Sequence, residues 1–102
     1  MKSELKAKWL EALRSGKYEQ AKGCLRKDDR YCCLGVLCDV VDPSGWELIG
    51  NTYKYLGYLS FLPPEVANIG YEDALVGMND GKGKSFPEIA DWIEANIETT
   101  DN

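Results

Sequence analysis

The chain has 102 residues, 44% of them hydrophobic, and a formal net charge of −5, which is enough for one core of ordinary size. No run of about 18 apolar residues occurs, so no membrane span is expected, and the charged opening MKSELKAKWLEALRSG does not read as a signal peptide. The expected setting is therefore the cytoplasm, where thiols stay reduced.

Leu5, Trp9, Ala12 and Leu13 recur at helical spacing, with Leu10 widening the stripe. This predicts an amphipathic helix over 3–15, with Ser3 as its N-cap and Gly16 as its stop. The polar segment 17–30 is broken by Gly23 and Asp28-Asp29 and is expected to hold two short strands, near 18–20 and 24–27. Residues 31–41 (YCCLGVLCDVV) predict a mostly buried helix, ended by the turn-forming Asp42-Pro43-Ser44-Gly45. Aromatic and branched residues then predict strands over 46–49 and 53–58, with Ile49-Gly50-Asn51-Thr52 as the turn between them. Short helices are expected from the PPEV stretch and over EDALVGMND, before a GKGK loop. The last helix has the fullest signature: Ser85 and Glu88 form a capping box, and Phe86, Ile89, Ile93 and Ile97 mark one apolar face with Trp92 at its edge. Together these elements predict an α+β fold, a small single domain of four or five helices packed on a short antiparallel β-hairpin or sheet.

Cys24, Cys32, Cys33 and Cys38 raise the question of metal, redox or packing. Their C-x7-C-C-x4-C spacing is not the paired pattern of a structural zinc site, no CxxC redox pair is present, and the chain has no His. Flanked by Leu34, Val36 and Leu37, the thiols are expected to line the core, with no metal and no cofactor. The lack of His also removes the commonest general base, so no enzyme activity is expected. GMNDGKGKS places Met78 where a P-loop needs its first glycine, which excludes an NTPase loop. What survives is a weaker anion contact from Lys82, Lys84 and Ser85 at a capped helix start, set against a plain solvated loop. Residues 72–97 have a helix-turn-helix look, but the second helix carries four acids and no base, which argues against reading DNA.

Charge divides along the chain. Residues 1–34 carry nine basic and five acidic side chains, and residues 35–102 carry three and twelve. Arg14, Lys17, Arg26, Arg30 and Tyr31 lie in the basic stretch; guanidiniums suit phosphate, and a tyrosine ring can stack on a base. Pairing with Glu19, Asp28 or Asp29 would explain the same residues without a ligand. The acids of the last helix, among them Glu88, Asp91 and Glu94, read as a solvated face.

The order of KWLEALRSGKYEQAKGCLRKDDRYCCLGVLCDV, FLPPEV and MNDGKGKSFPEIADWIEANI resembles a family of small proteins found in phage genomes and prophages. Its motifs are W-x-x-A-L-R-S-G-x-Y, then L-R…D-R-[YF]-C-C-L-G-V-L-C-D, then N-D…G-K-S-F-x-E-I-A-x-x-I-E. Where that family often has YxQGKG, this chain has YEQAKG, with Ala21 in the glycine position. The resemblance implies a phage protein in the cytoplasm of a bacterial host. By analogy of setting, it implies a non-enzymatic anti-defence role: sequestration of a small anionic signal, of nucleotide type, by a homo-oligomer. Arg14, Lys17, Arg26, Arg30 and Tyr31 would contact phosphate and base, with Lys82, Lys84 and Ser85 as a second anion contact. The alternatives are an acidic inhibitor of a host defence protein, including a DNA mimic, and a helix-turn-helix accessory or structural protein.

Overall fold

The computed structural model describes residues 1–63 and 70–100, and its first element is helix α1 (Ser3–Arg14). The predicted apolar stripe is its inner face, where Trp9 and Leu13 are buried. Lys2 rather than Ser3 is the N-cap. At the other end Gly16, at φ +78, takes the left-handed turn away from the helix.

Three two-residue strands follow: β1 (Glu19–Gln20), β2 (Arg26–Lys27) and β3 (Arg30–Tyr31). They form a sheet of order β1-β3-β2, antiparallel between β2 and β3 but parallel between β1 and β3. The expected all-antiparallel pairing is corrected in this one strand pair. The strand β3 also takes Tyr31 out of the predicted helix, which begins as α2 (Cys33–Val41) with Cys32 as its N-cap. There a thiol replaces the usual hydroxyl, Cys32 Sγ accepting from Gly35 N at 3.4 Å.

A single 3-10 turn (Pro43–Gly45) leads into a hairpin of β4 (Trp46–Ile49) and β5 (Thr52–Tyr55). Its register pairs Ile49 with Thr52, leaving Gly50 and Asn51 as the two-residue turn foreseen in the sequence. The strand expected to run to residue 58 stops at Tyr55. Tyr55 and Tyr58 exchange backbone hydrogen bonds around a second tight turn, Leu56-Gly57. The short helix expected to start at the PPEV stretch lies, past Pro63, outside the described residues. The chain then forms α3 (Glu72–Val76), a π-helical turn (Gly77–Gly81) and α4 (Phe86–Asn96). The Ser85–Glu88 capping box is present in both directions, with Glu88 N donating to Ser85 Oγ and Ser85 N donating to Glu88 Oε1. The bonds that the Glu88 carboxyl accepts from Ser85 N and Ser85 Oγ hold it below its usual pKa.

The α+β architecture expected from the sequence is the one observed. Its core is a continuous cluster built on α2, in which Cys33, Leu34, Val36, Leu37 and Cys38 meet Trp9 and Leu13 of α1, Ile89 and Ile93 of α4, and Leu25, Tyr55 and Leu75. Each fully buried Leu or Ile contributes about 1.5–3 kcal/mol relative to exposure. Polar groups lock the helix contacts: Trp9 Nε1 donates to Cys33 O at 2.9 Å, and Lys6 Nζ donates to the Glu94 and Ile97 carbonyls at the end of α4. No helix among the described residues is long and apolar enough to cross a membrane.

Leu56 sits at φ +49 with its side chain half exposed. A left-handed conformation costs a leucine about 1–2 kcal/mol, and Asn tolerates it. Leu56→Asn is therefore expected to raise stability by about 1 kcal/mol, read as a higher melting temperature. A lower one would mean that the exposed leucine packs against its surroundings.

Candidate functional site

Three clusters of chemistry-bearing residues emerge from this fold, and they divide the residues singled out in the sequence. The first surrounds the cysteines. Cys32, Cys33 and Cys38 are buried in the core, as packing requires, while Cys24 is only half buried. Burial pushes the Cys32 thiol up to about 11 and raises Cys33 and Cys38 as well, so all three stay protonated near neutral pH. Among the described residues, no three His, Cys, Asp or Glu side chains converge as a metal site would need. Gly23, Cys24, Cys32, Cys33, Asn79 and Asp80 line a cavity of about 100 Å³, room for a few waters and too small for a nucleotide.

The second cluster lies on the strand layer, where Arg26, Arg30 and Tyr31 share neighbouring strands. Arg26 lies over an aromatic floor, its guanidinium 3.8 Å from the Tyr53 ring centre, 5.1 Å from Tyr31 and 5.5 Å from Trp46. Its Nε donates to Asp28 O, and a terminal nitrogen lies 3.6 Å from Asp29. Tyr31 packs edge-on between Tyr18 and Trp46. Beneath them Asp39 accepts from Tyr18 Oη at 2.7 Å and from Trp46 Nε1 at 3.1 Å. Burial first, then that bond to Asp39, pushes the Tyr18 pKa up. Arg30 pairs with Glu19 at 3.5 Å on the exposed face. The carboxylates near in sequence thus do take up these cations. Arg26 is a stacked, cation–π-held side chain rather than a free phosphate fork.

Arg14 and Lys17 stand apart from that sheet. Arg14 bridges to α4, 2.9 Å from Asp91 and 3.0 Å from Glu94, and these two bonds raise its pKa, Asp91 more than Glu94. The acids of α4 are exposed, as a solvated face would be, yet two of them also clamp α1. Lys17 lines a shallow hollow of about 240 Å³ with Lys8, Glu11, Tyr18 and Val40.

The third cluster is a groove beside α4. Asp73, Gly77, Met78, Lys82, Lys84 and Trp92 line about 450 Å³ of it, within the range of small-ligand sites. It continues past Lys84 and Trp92 toward Glu88 and Asp91. Its floor is apolar, with Met78 buried and Trp92 half buried against Tyr71, ring centres 5.6 Å apart. The wall is the π-helical turn, held by Lys82 N to Gly77 O and Lys84 N to Met78 O, both 2.9 Å. Such turns are rare and often mark functional sites. Gln20 braces it from β1, donating to Asn79 Oδ1 and to Lys84 O. Lys84 Nζ lies 3.8 Å from Glu88, a long exposed pair of little strength. Ser85 is occupied by the capping box.

Of the residues expected at a ligand site, only Lys82 and Lys84 line this groove; Arg26, Arg30 and Tyr31 form a separate cluster, and Arg14 and Lys17 lie elsewhere. The sequence reading missed Met78 and Trp92 as a floor and Asn79 as a brace. Trp92 at the edge of an apolar stripe was the one available signal.

The family model of DUF8296, a domain of unknown function, matches residues 1–70, and the chain belongs to that family. The groove residues Asp73 to Trp92 follow the matched segment. No curated protein matches the chain. No solved structure matches it either.

Proposed function

We propose that this chain is a phage-encoded, non-enzymatic binding protein that sequesters a small anionic ligand of nucleotide type and so blunts a host defence signal. The observation that carries the reading is the groove of about 450 Å³ whose lining brings together Lys82, Lys84, Trp92 and Met78. Two ammonium groups can hold phosphate, and an indole beside a thioether suits a planar base. The phage setting rests on the sequence resemblance, and the non-enzymatic reading on the absence of His and the protonated buried thiols. Asp73, Glu88 and Asp91 rim the groove. Glu88 and Asp91 belong to the continuation past Lys84, so the ligand's phosphate belongs in the part that both lysines line, and binding weakens with salt.

Titration calorimetry with mono- and cyclic nucleotides tests this directly. Lys82→Ala with Lys84→Ala together should weaken binding at least about tenfold, which is 1.4 kcal/mol, and Trp92→Leu should do the same while leaving the far-UV spectrum unchanged. Unaltered affinity in the double variant would remove the groove as the site. No binding by any nucleotide would remove the reading itself.

A further inference from the structure

The outer edge of β4 has no partner strand among the described residues: the sheet has the order β4-β5, and β4 pairs on one side only. Open edges are usually guarded by proline, a bulge or an edge lysine. Here Trp46-Glu47-Leu48-Ile49 has no proline, its register with β5 runs unbroken, and Leu48 and Ile49 are about half exposed. The hydrogen-bond parity of the edge follows from the turn. Gly50 at φ +66 closes a two-residue turn, so Ile49 and Glu47 direct their backbone groups at β5 while Trp46 and Leu48 turn theirs outward.

We infer that this edge takes a second copy of the chain, two β4 strands pairing antiparallel about Leu48 into one four-stranded sheet. Charge favours a second copy at this place. Residues 46–61 carry only Glu47 and Lys54, a net charge of zero, in a chain of net −5. Two acidic molecules thus meet here through a segment that adds no repulsion of its own. Symmetry then fixes the register. A two-fold axis perpendicular to a sheet makes one residue oppose itself. Leu48 at that centre pairs its outward N–H and C=O with those of its twin and sets Glu47 opposite Ile49. Glu47 at the centre would pair Trp46 with Leu48 and keep the outward hydrogen bonds, but it would set two carboxylates face to face in the close, non-hydrogen-bonded site. Trp46 at the centre would carry the pairing into the 3-10 turn Pro43–Gly45, so Leu48 is the centre that keeps like charges apart and stays clear of that turn. This pairing is independent of the ligand groove, which lies on α4 and the π-helical turn.

Sedimentation velocity of the full chain from micromolar to millimolar protein tests it. The expected species is a dimer of twice 11.4 kDa. Leu48→Lys places like charges face to face and should give a monomer with an unchanged far-UV spectrum. The register has its own readout. Hydrogen-bonded antiparallel partners have Cα atoms about 5.5 Å apart, inside the disulfide range. Leu48→Cys should therefore form a covalent dimer under mild oxidation, while Glu47→Cys and the unaltered chain should not. A monomer at every concentration would overturn the inference and leave the edge to another protein's strand. A dimer that survives Leu48→Lys, or equal cross-linking at both positions, would overturn it as well.

Discussion

Gly35→Ala is expected to destabilise the fold by about 3 kcal/mol or more, enough to unfold much of a small domain. In an ordinary helix interior the same change gains about 1 kcal/mol, because alanine has the better propensity. Here sterics reverse the sign. A methyl at Gly35 would stand 1.8 Å from the Leu25 carbonyl oxygen and 2.8 Å from its carbon. The obstacle is backbone, which cannot rotate aside. The Leu25 carbonyl also accepts from Cys32 N at 3.1 Å, so moving it would cost a hydrogen bond at the start of α2. Urea unfolding followed by far-UV circular dichroism gives the measurement. Gly77→Ala is the matched control, since Gly77 is helical at φ −59 and a methyl there would meet nothing within 4 Å; it should be neutral or slightly stabilising. Equal midpoints for Gly35→Ala and the unaltered chain would mean that α2 does not approach Leu25 so closely.

The same glycine shows where the sequence was legible and where it was not. Its neighbours Leu34, Val36 and Leu37 predicted burial of α2 from apolar content alone, and α1 and α4 followed from stripes that recur every three or four residues. Those signals are local, and tertiary packing reinforced them. The glycine itself gave no local sign that Leu25 would sit against it, because that contact joins two segments. The strand β3 was absorbed into the predicted helix for a related reason. A two-residue strand such as Arg30–Tyr31 has no periodicity, and its parallel pairing with β1 depends on where α1 delivers the chain.

The candidate site was legible to a smaller degree. Lys82 and Lys84 could be nominated from a loop beside a capped helix. The floor beneath them could not, since Trp92 on α4 meets Met78 of the π-helical turn only once both are folded. Arg14 went the other way. Its charge suggested a ligand, but α4 brings Asp91 and Glu94 to it. Ala21, where the resembled family often has glycine, is not among the residues of positive φ, and its N–H donates to the Tyr31 carbonyl in an ordinary hydrogen bond.

Asn79→Ala should cost about 2–4 kcal/mol and loosen the ligand groove with it. Asn79 is the buried polar residue of the core among the described residues, with 0% of its surface exposed, and each polar atom is used twice. Its Oδ1 accepts from Gln20 Nε2 at 2.8 Å and from Cys33 N at 3.3 Å. Its Nδ2 donates to Ala21 O at 2.7 Å and to Asp80 Oδ1 at 2.8 Å. One amide thus ties β1, the first turn of α2 and the π-helical turn together. Removing it strands the Cys33 N–H and loses a bond to the Ala21 carbonyl, and an unmet buried group costs more than the bond itself contributes. Asn79→Asp separates this account from simple loss of volume. It keeps the shape and the acceptor toward Cys33, but sets an oxygen against the Ala21 carbonyl and the Asp80 carboxylate. That crowding raises the introduced acid's pKa in the folded state above its unfolded value, so protonation favours the fold. Asn79→Asp should be strongly destabilised at neutral pH and recover as pH falls, when a hydroxyl can donate where Nδ2 did. Asn79→Ala should show no such recovery. Melting temperatures of both variants across that range decide it: parallel pH profiles would mean that the amide fills space rather than bonding the three segments together.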